Sequence, residues 1–229
     1  ADLPRLFRAF DFQAESPEKT AVLAGLAFTP PSRGDQTEFI QAEALQRLQG
    51  FDINAKPEYI AALNKVLDAS GDSEQFVRLV NKFNVSDRYD DLLELARRHA
   101  QEQVAIEAVR TLLDKDQLAL LRDAVHSDDA ATSDETLTAL ATAADGRTVE
   151  LLLATAADEH RSPNARRGAI RALGAVRPGA QALQKLAESG NYDPLLKEAL
   201  AATLHTVKWK EIKQQALKLF PLPPGRDAE

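Results

Sequence analysis

Apolar residues recur three and four positions apart along most of the chain, in segments of about 11 to 15 residues that end at short turn signals. This spacing places apolar side chains on one face of a helix. No segment alternates apolar and polar residues with the β-branched enrichment of a strand. The pattern therefore predicts an all-α fold. Helices are predicted over 17–28, 36–49, 57–69, 73–83, 87–99, 101–113, 115–125, 132–144, 147–158, 163–175, 179–189, 193–205 and 208–219.

Proline and glycine mark many of the predicted helix ends. Ser16 is placed to cap the first predicted helix, and Pro17 occupies its first position, where a missing N–H has no consequence. Other prolines stand at predicted helix starts, namely Pro57, Pro163, Pro178 and Pro194. Glycines stand at or near predicted helix ends, where a left-handed C-cap favours them, namely Gly50, Gly71, Gly146 and Gly190.

The second half of the chain repeats with a period of about 30 residues. Similar alanine-rich segments begin at Ala108, Ala139, Ala169 and Ala199, which are 31, 30 and 30 residues apart. The intervening helices keep nearly the same step, with Leu121, Leu152, Leu183 and Ile212 being 31, 31 and 29 residues apart. A two-helix unit with one period in both helices is typical of an α-solenoid. The alternative is a non-repetitive helical bundle rich in alanine and leucine.

One repeat is the most legible. Residues 162–176 resemble the second helix of HEAT-like repeats, with Arg166, Ala169, Leu173 and Gly174 on the pattern positions of that family. Because Gly174 follows Leu173 where the helix should end, we expect it to need either a positive φ or close contact with the next repeat. The resemblance implies a HEAT/armadillo-like solenoid and says little about activity.

The resemblance sets the predicted domain organisation. We expect a single α-solenoid domain over 1–220, with irregular repeats over 1–85 and regular HEAT-like repeats over 86–219. The unit at 132–144 departs from the pattern because it lacks the arginine and the glycine. A proline-rich linker is predicted over 221–229, acting as a spacer; the alternative is that Leu222 folds back onto the last helices.

Two short segments carry a second resemblance. Residues 3–12 (LPRLFRAFDF) and 219–226 (LFPLPPGR) are similar to segments of large planctomycete-type multidomain proteins. In those proteins a β-propeller resembling soluble sugar dehydrogenases precedes helical repeats, and a c-type cytochrome follows. The resemblance implies an exported, periplasmic parent protein whose redox domains lie outside this chain. The absence of methionine also leads us to expect a piece of a longer protein.

Composition narrows the function classes. Alanine and leucine make up 71 of 229 residues, which favours helices, and the absence of cysteine excludes disulfides, a thiol nucleophile and cysteine-ligated metal or haem in this chain. The net charge of −7 argues against nucleic acid as a partner and favours a monomer. The apolar stretch 21–28 is far shorter than the roughly 20 residues that span a bilayer, so we expect no membrane insertion.

Residues that could carry catalysis are scattered. The four histidines, none of them spaced as a helical metal pair, are His99, His126, His160 and His205. Each lies at or near a predicted helix end, where the helix dipole favours it. The paired carboxylates are Asp90-Asp91, Asp128-Asp129 and Asp158-Glu159, which suit caps and solvated loops. We therefore expect no catalytic site, no metal and no cofactor.

The densest basic cluster consists of Arg161, Arg166, Arg167 and Arg171. Arg166 stands on the repeat pattern, so we expect it to pair with a carboxylate in a loop between repeats, either Asp158 or Asp193. A phosphate-binding surface, as in HEAT-like DNA glycosylases, is the alternative. Such an enzyme needs a basic groove with aromatic residues, whereas this chain is acidic and has one tryptophan.

Together these observations predict a non-enzymatic scaffold that binds other protein domains, most simply domains of the same parent chain. The second helices of the repeats, over 101–113, 132–144, 163–175 and 193–205, are expected to line a concave face. The candidate partner surface on them consists of Glu102, Glu107, Arg110, Arg167, Arg171 and Lys197. The alternative is a HEAT-like repeat enzyme of the bilin lyase or DNA glycosylase type, which would require a pocket of carboxylates and aromatics.

Overall fold

The structure, a computed structural model, describes residues 3–32, 34 and 36–221. The fold is all-α, with 76% of it helical and no strand among the described residues. The chain divides into two compact units, Ala1–Ser86 and Asp87–Glu229. We call them the N-terminal and the C-terminal unit.

The N-terminal unit is built around one central helix. Its helices are α1 (Leu3–Asp11), α2 (Pro17–Phe28), α3 (Gln36–Arg47), α4 (Pro57–Ser70) and α5 (Glu74–Phe83). Helix α3 packs against each of the other four. Phe7, Leu45 and Leu63, all at most 2% exposed, fill the space between these helices. The predicted N-cap is confirmed, because the Ser16 side chain accepts a hydrogen bond from the Lys19 N–H and Pro17 begins α2.

The C-terminal unit consists of consecutive helix pairs. Its helices are α6 (Tyr89–Arg98), α7 (Gln103–Asp114), α8 (Leu118–Val125), α9 (Ala130–Ala143), α10 (Val149–Ala157), α11 (Pro163–Leu173), α12 (Arg177–Ser189), α13 (Lys197–Thr206) and α14 (Lys210–Leu219). Helices α7, α9, α11 and α13 form a first row in which each packs on the next. Helices α10, α12 and α14 form a second row in the same way. The pairs α10–α11, α12–α13 and α13–α14 join the two rows.

The residues that define the 30-residue period form the core of this unit. In the leucine and isoleucine series all four positions are buried, namely Leu121, Leu152, Leu183 and Ile212. In the alanine series three are buried, namely Ala108, Ala139 and Ala169, whereas Ala199 is half-buried. The period of about 30 residues in the sequence is thus a period of buried positions, with Ala199 as the exception.

Several predicted boundaries differ from the structure. Helix α1 was not among the predicted helices. Helix α13 begins at Lys197 and not at 193, because Asp193 accepts a hydrogen bond from the Leu195 N–H and starts a separate 3-10 turn over Pro194–Leu196. Of the glycines expected as left-handed caps, Gly190 has φ +65° and ends α12 as predicted. Gly146 does not cap α9; Ala144 does, with φ +48°.

Gly174 does not have a positive φ. Its φ of −64° and ψ of −16° lie in the right-handed helical region. A Cβ atom at this position would instead collide with the Cγ2 methyl group of Thr203 on α13. Of the two reasons expected for this glycine, close contact with the next helix pair is therefore confirmed, and the left-handed conformation is wrong.

Candidate functional site

The predicted partner residues lie at three places in the first row. Glu102 precedes α7, and Glu107 and Arg110 lie on that helix; Arg167 and Arg171 lie on α11, and Lys197 begins α13. Four of these residues are exposed, whereas Glu107 and Arg167 are half-buried. We call the set Glu102, Glu107, Arg110, Arg167, Arg171 and Lys197 the partner face.

Two arginines of the partner face are held by hydrogen bonds to the neighbouring helix pair. Arg110 Nη2 donates to the carbonyl oxygen of Ala143 at the end of α9, at 3.4 Å. Arg167 Nη2 donates to the carbonyl oxygen of Leu195, at 3.3 Å. Each guanidinium therefore links two helix pairs and keeps its remaining N–H groups for other contacts.

Helix α9 lies between the two parts of the partner face, and sequence reasoning assigned it no residue there. Its non-buried positions include Asp134, Thr138 and Thr142. The hydroxyl groups of both threonines donate to carbonyl oxygens four residues earlier, at 2.8 and 3.0 Å. Helix α9 thus presents one exposed carboxylate, Asp134, and two threonines with satisfied hydroxyl groups between the residues of α7 and those of α11 and α13.

The basic cluster is largely engaged within the protein. Arg161 contacts Asp158 and donates to the carbonyl oxygen of His126, at 2.6 Å. Arg166, expected to pair with either Asp158 or Asp193, pairs with Asp193 at 2.7 Å. Two of the four arginines, Arg161 and Arg166, therefore have carboxylate and carbonyl acceptors within the protein. Arg171 is exposed.

The Arg166–Asp193 pair joins α11 to the segment that precedes α13. The Arg166 side chain is only 6% exposed, and its Nε donates to the carbonyl oxygen of Ala156. Asp193 accepts at both carboxylate oxygens, from the Leu195 N–H and from Arg166 Nη1. These hydrogen bonds, the backbone one foremost, hold the pKa of Asp193 below its usual value. Both oxygens of Asp193 are therefore occupied.

A cavity of about 760 Å³ lies beside this pair, and we call it the α10–α12 cavity. Its walls are mostly apolar. Helix α10 contributes Leu153, Ala156 and Ala157, followed by Glu159; α11 contributes Arg166 and Ile170; and α12 contributes Ala182, Leu183, Lys185, Leu186 and Ser189. The segment between α12 and α13 contributes Asn191, Tyr192, Asp193 and Leu196, and α13 contributes Leu200. No residue of the partner face is among them.

The histidines and acidic loops are spread over separate helix ends. His99 and His126 are C-cap residues of α6 and α8, and His205 lies in the last turn of α13, so the predicted positions at helix ends are confirmed for these three. His126 contacts the Thr155 hydroxyl, and burial is the main cause that lowers the pKa of this histidine. Asp129 caps α9 through the Thr132 N–H. The described residues contain no group of three or more such side chains able to hold a metal ion.

Comparison with protein-family models, with curated proteins and with solved structures gave no match to this chain. Among the described residues, no helix combines the length and the apolar character needed to cross a membrane.

Proposed function

We propose that the chain is a non-enzymatic α-solenoid of HEAT-like repeats that binds or positions other protein domains. The observation that carries the proposal is the first row of helices, α7, α9, α11 and α13, in which each helix packs on the next at a sequence interval of about 30 residues. Such a row offers a continuous surface across successive repeats, which is how repeat proteins bind partners.

The charges on the partner face favour a protein partner. Glu102 and Glu107 supply carboxylates at one part of the face, and Arg167, Arg171 and Lys197 supply cations at another. Mixed charges steer the encounter with a complementary surface and set orientation more than they add affinity.

The alternative, a HEAT-like enzyme of the bilin lyase or DNA glycosylase type, requires carboxylates and aromatics gathered at one pocket. Among the described residues that line the α10–α12 cavity, Tyr192 is the one aromatic side chain, and of the two carboxylates Asp193 accepts from Arg166 and a backbone N–H whereas Glu159 is exposed. This arrangement supports the scaffold more than the enzyme.

We further propose that the parent protein is exported and that this chain links a dehydrogenase-like propeller to a c-type cytochrome. The support is the resemblance of residues 3–12 and 219–226 to such proteins. The coding sequence on either side of the chain tests this link. A Cys-x-x-Cys-His motif downstream is expected, and its absence together with the absence of an upstream propeller would overturn the redox context.

Binding tests the scaffold itself. The purified chain is titrated calorimetrically with each domain that flanks it in the parent protein. We expect saturable binding that Arg167→Glu/Arg171→Glu weakens at least tenfold, because the reversal replaces two cations by carboxylates on one helix face. Lys210→Glu/Lys213→Glu on α14 is the control with the same charge change at two exposed lysines outside the partner face. No binding, or equal loss in both variants, would contradict the proposal.

A further inference from the structure

We propose that the α10–α12 cavity is a binding site for an apolar molecule that carries a carboxylate, such as a fatty acid. Its volume of about 760 Å³ lies within the range of roughly 300–1,000 Å³ that is usual for small-molecule sites. Apolar side chains with a few convergent polar groups are the usual lining of such sites.

The shape of the cavity follows from the residues at its walls. Small side chains, Ala156 and Ala157 on α10 and Ala182 on α12, face the gap between the two helices. Leu153 and Leu186 also line it, and both remain half-buried, although leucine side chains gain by complete burial. The apolar surface of these residues is therefore available to a ligand.

One polar group at the cavity wall, the Arg166 guanidinium, has an N–H donor that is still available to a ligand. Arg166 Nε donates to Ala156 and Nη1 donates to Asp193, whereas Nη2 donates to no described atom. The Arg166 side chain is only 6% exposed. Asp193 also lines the cavity, and each of its carboxylate oxygens already accepts one hydrogen bond.

A carboxylate is the ligand group that fits this donor. A guanidinium N–H donates to a carboxylate oxygen in a charge-assisted bond, which is stronger than a neutral one. Lys185 also lines the cavity and is exposed, so it supplies a second cation near the mouth. Glu159 and Asp193 also line the cavity, so its two cations are matched by two carboxylates, and the preference for a carboxylate ligand rests on the remaining Arg166 N–H group.

Calorimetric titration of the complete chain with dodecanoate, below the concentration at which it forms micelles, tests the site. We expect one molecule bound per chain, and at least tenfold weaker binding of dodecyltrimethylammonium, which has the same alkyl chain and the opposite charge. Equal affinity for the two amphiphiles, or several molecules bound per chain, would mean adsorption to apolar surface and would overturn the proposal.

Two phenylalanine substitutions on α12 locate the site. Ala182→Phe places a ring at the cavity wall and should weaken dodecanoate binding at least tenfold. Gln181→Phe is the matched control, because Gln181 is exposed, adjacent and not part of the lining. Both variants keep the Arg166–Asp193 pair. Circular dichroism of each variant shows whether it is folded, which separates loss of the fold from loss of binding. Unchanged binding in folded Ala182→Phe, or equal loss in both, would overturn the location.

Discussion

Gly174→Ala tests how closely α11 and α13 pack in the C-terminal unit. The new Cβ atom would collide with Thr203 Cγ2 and approach the Arg171 carbonyl oxygen to 3.3 Å. Thr203 is 8% exposed and lies on α13, so its methyl group has little room to move away. The substitution should therefore push α11 and α13 apart or force Thr203 into another rotamer.

Two opposing effects set the magnitude. Overpacking a close contact destabilises a protein by about 1–3 kcal/mol. Replacing glycine by alanine in a helical conformation stabilises it by about 0.4–1 kcal/mol through the unfolded chain. The net loss should be about 1–2 kcal/mol, and Gly174→Val should lose at least about 1 kcal/mol, because its side chain is larger. At about 2–4 °C per kcal/mol for a chain of this size, Gly174→Ala should lower the Tm by roughly 2–8 °C.

Urea denaturation in a double-mutant cycle with Thr203→Ser measures the contact. Serine lacks the Cγ2 methyl group, so Gly174→Ala should be at least about 1 kcal/mol less harmful in the Thr203→Ser background. Gly146→Ala is the control, since its Cβ would lie 3.8 Å from Pro178, an ordinary contact. A parent-like stability of Gly174→Ala, or no coupling to Thr203, would refute the packing described for α11 and α13.

Three further predictions concern charges and the chain end. Burial lowers the pKa of Lys82 to about 8, so the unfolded chain binds more protons than the folded chain between about pH 8 and 10.5. The free energy of unfolding, relative to that of Lys82→Met, should therefore rise with pH over that range. A difference in Tm between the two proteins that stays constant with pH would contradict this. Asp193→Ala leaves the buried Arg166 guanidinium without its carboxylate, whereas Glu211→Ala removes the exposed ion pair with Arg177. Asp193→Ala should therefore lower the Tm more than Glu211→Ala. Equal losses of Tm in thermal scans would show that the buried pair is dispensable. Removing residues 221–229 should leave the Tm within about 1 °C if they act as a spacer, and a fall of several degrees would make them part of the fold.

Helices of the C-terminal unit could be predicted where the sequence marks their ends. Pro163 begins α11 after the Ser162 cap, and Gly190 ends α12 in the left-handed conformation. The pairing of Arg166 was expected because an arginine at that repeat position reaches the loop of the next pair. Helix α1 was missed although its sequence carries the helical pattern, since Leu3, Leu6, Phe7 and Phe10 stand three and four positions apart.

Other features depend on tertiary contacts that no local pattern contains. Ala144 adopts φ +48° at the end of α9, although Gly146 lies two residues later. The α10–α12 cavity is assembled from segments up to 47 residues apart, between Leu153 and Leu200, so its lining could not be recognised from spacing.

Lysine footprinting of the intact parent protein tests the proposed partner face most directly. Acetylation rates are compared by mass spectrometry between the isolated chain and the parent protein, at Lys197 on the face and at Lys213 on α14, both exposed here. A partner domain on the face should slow acetylation of Lys197 at least tenfold in the parent and leave Lys213 unchanged. Equal rates at Lys197 in the two proteins, or protection of Lys213 alone, would contradict the proposed surface.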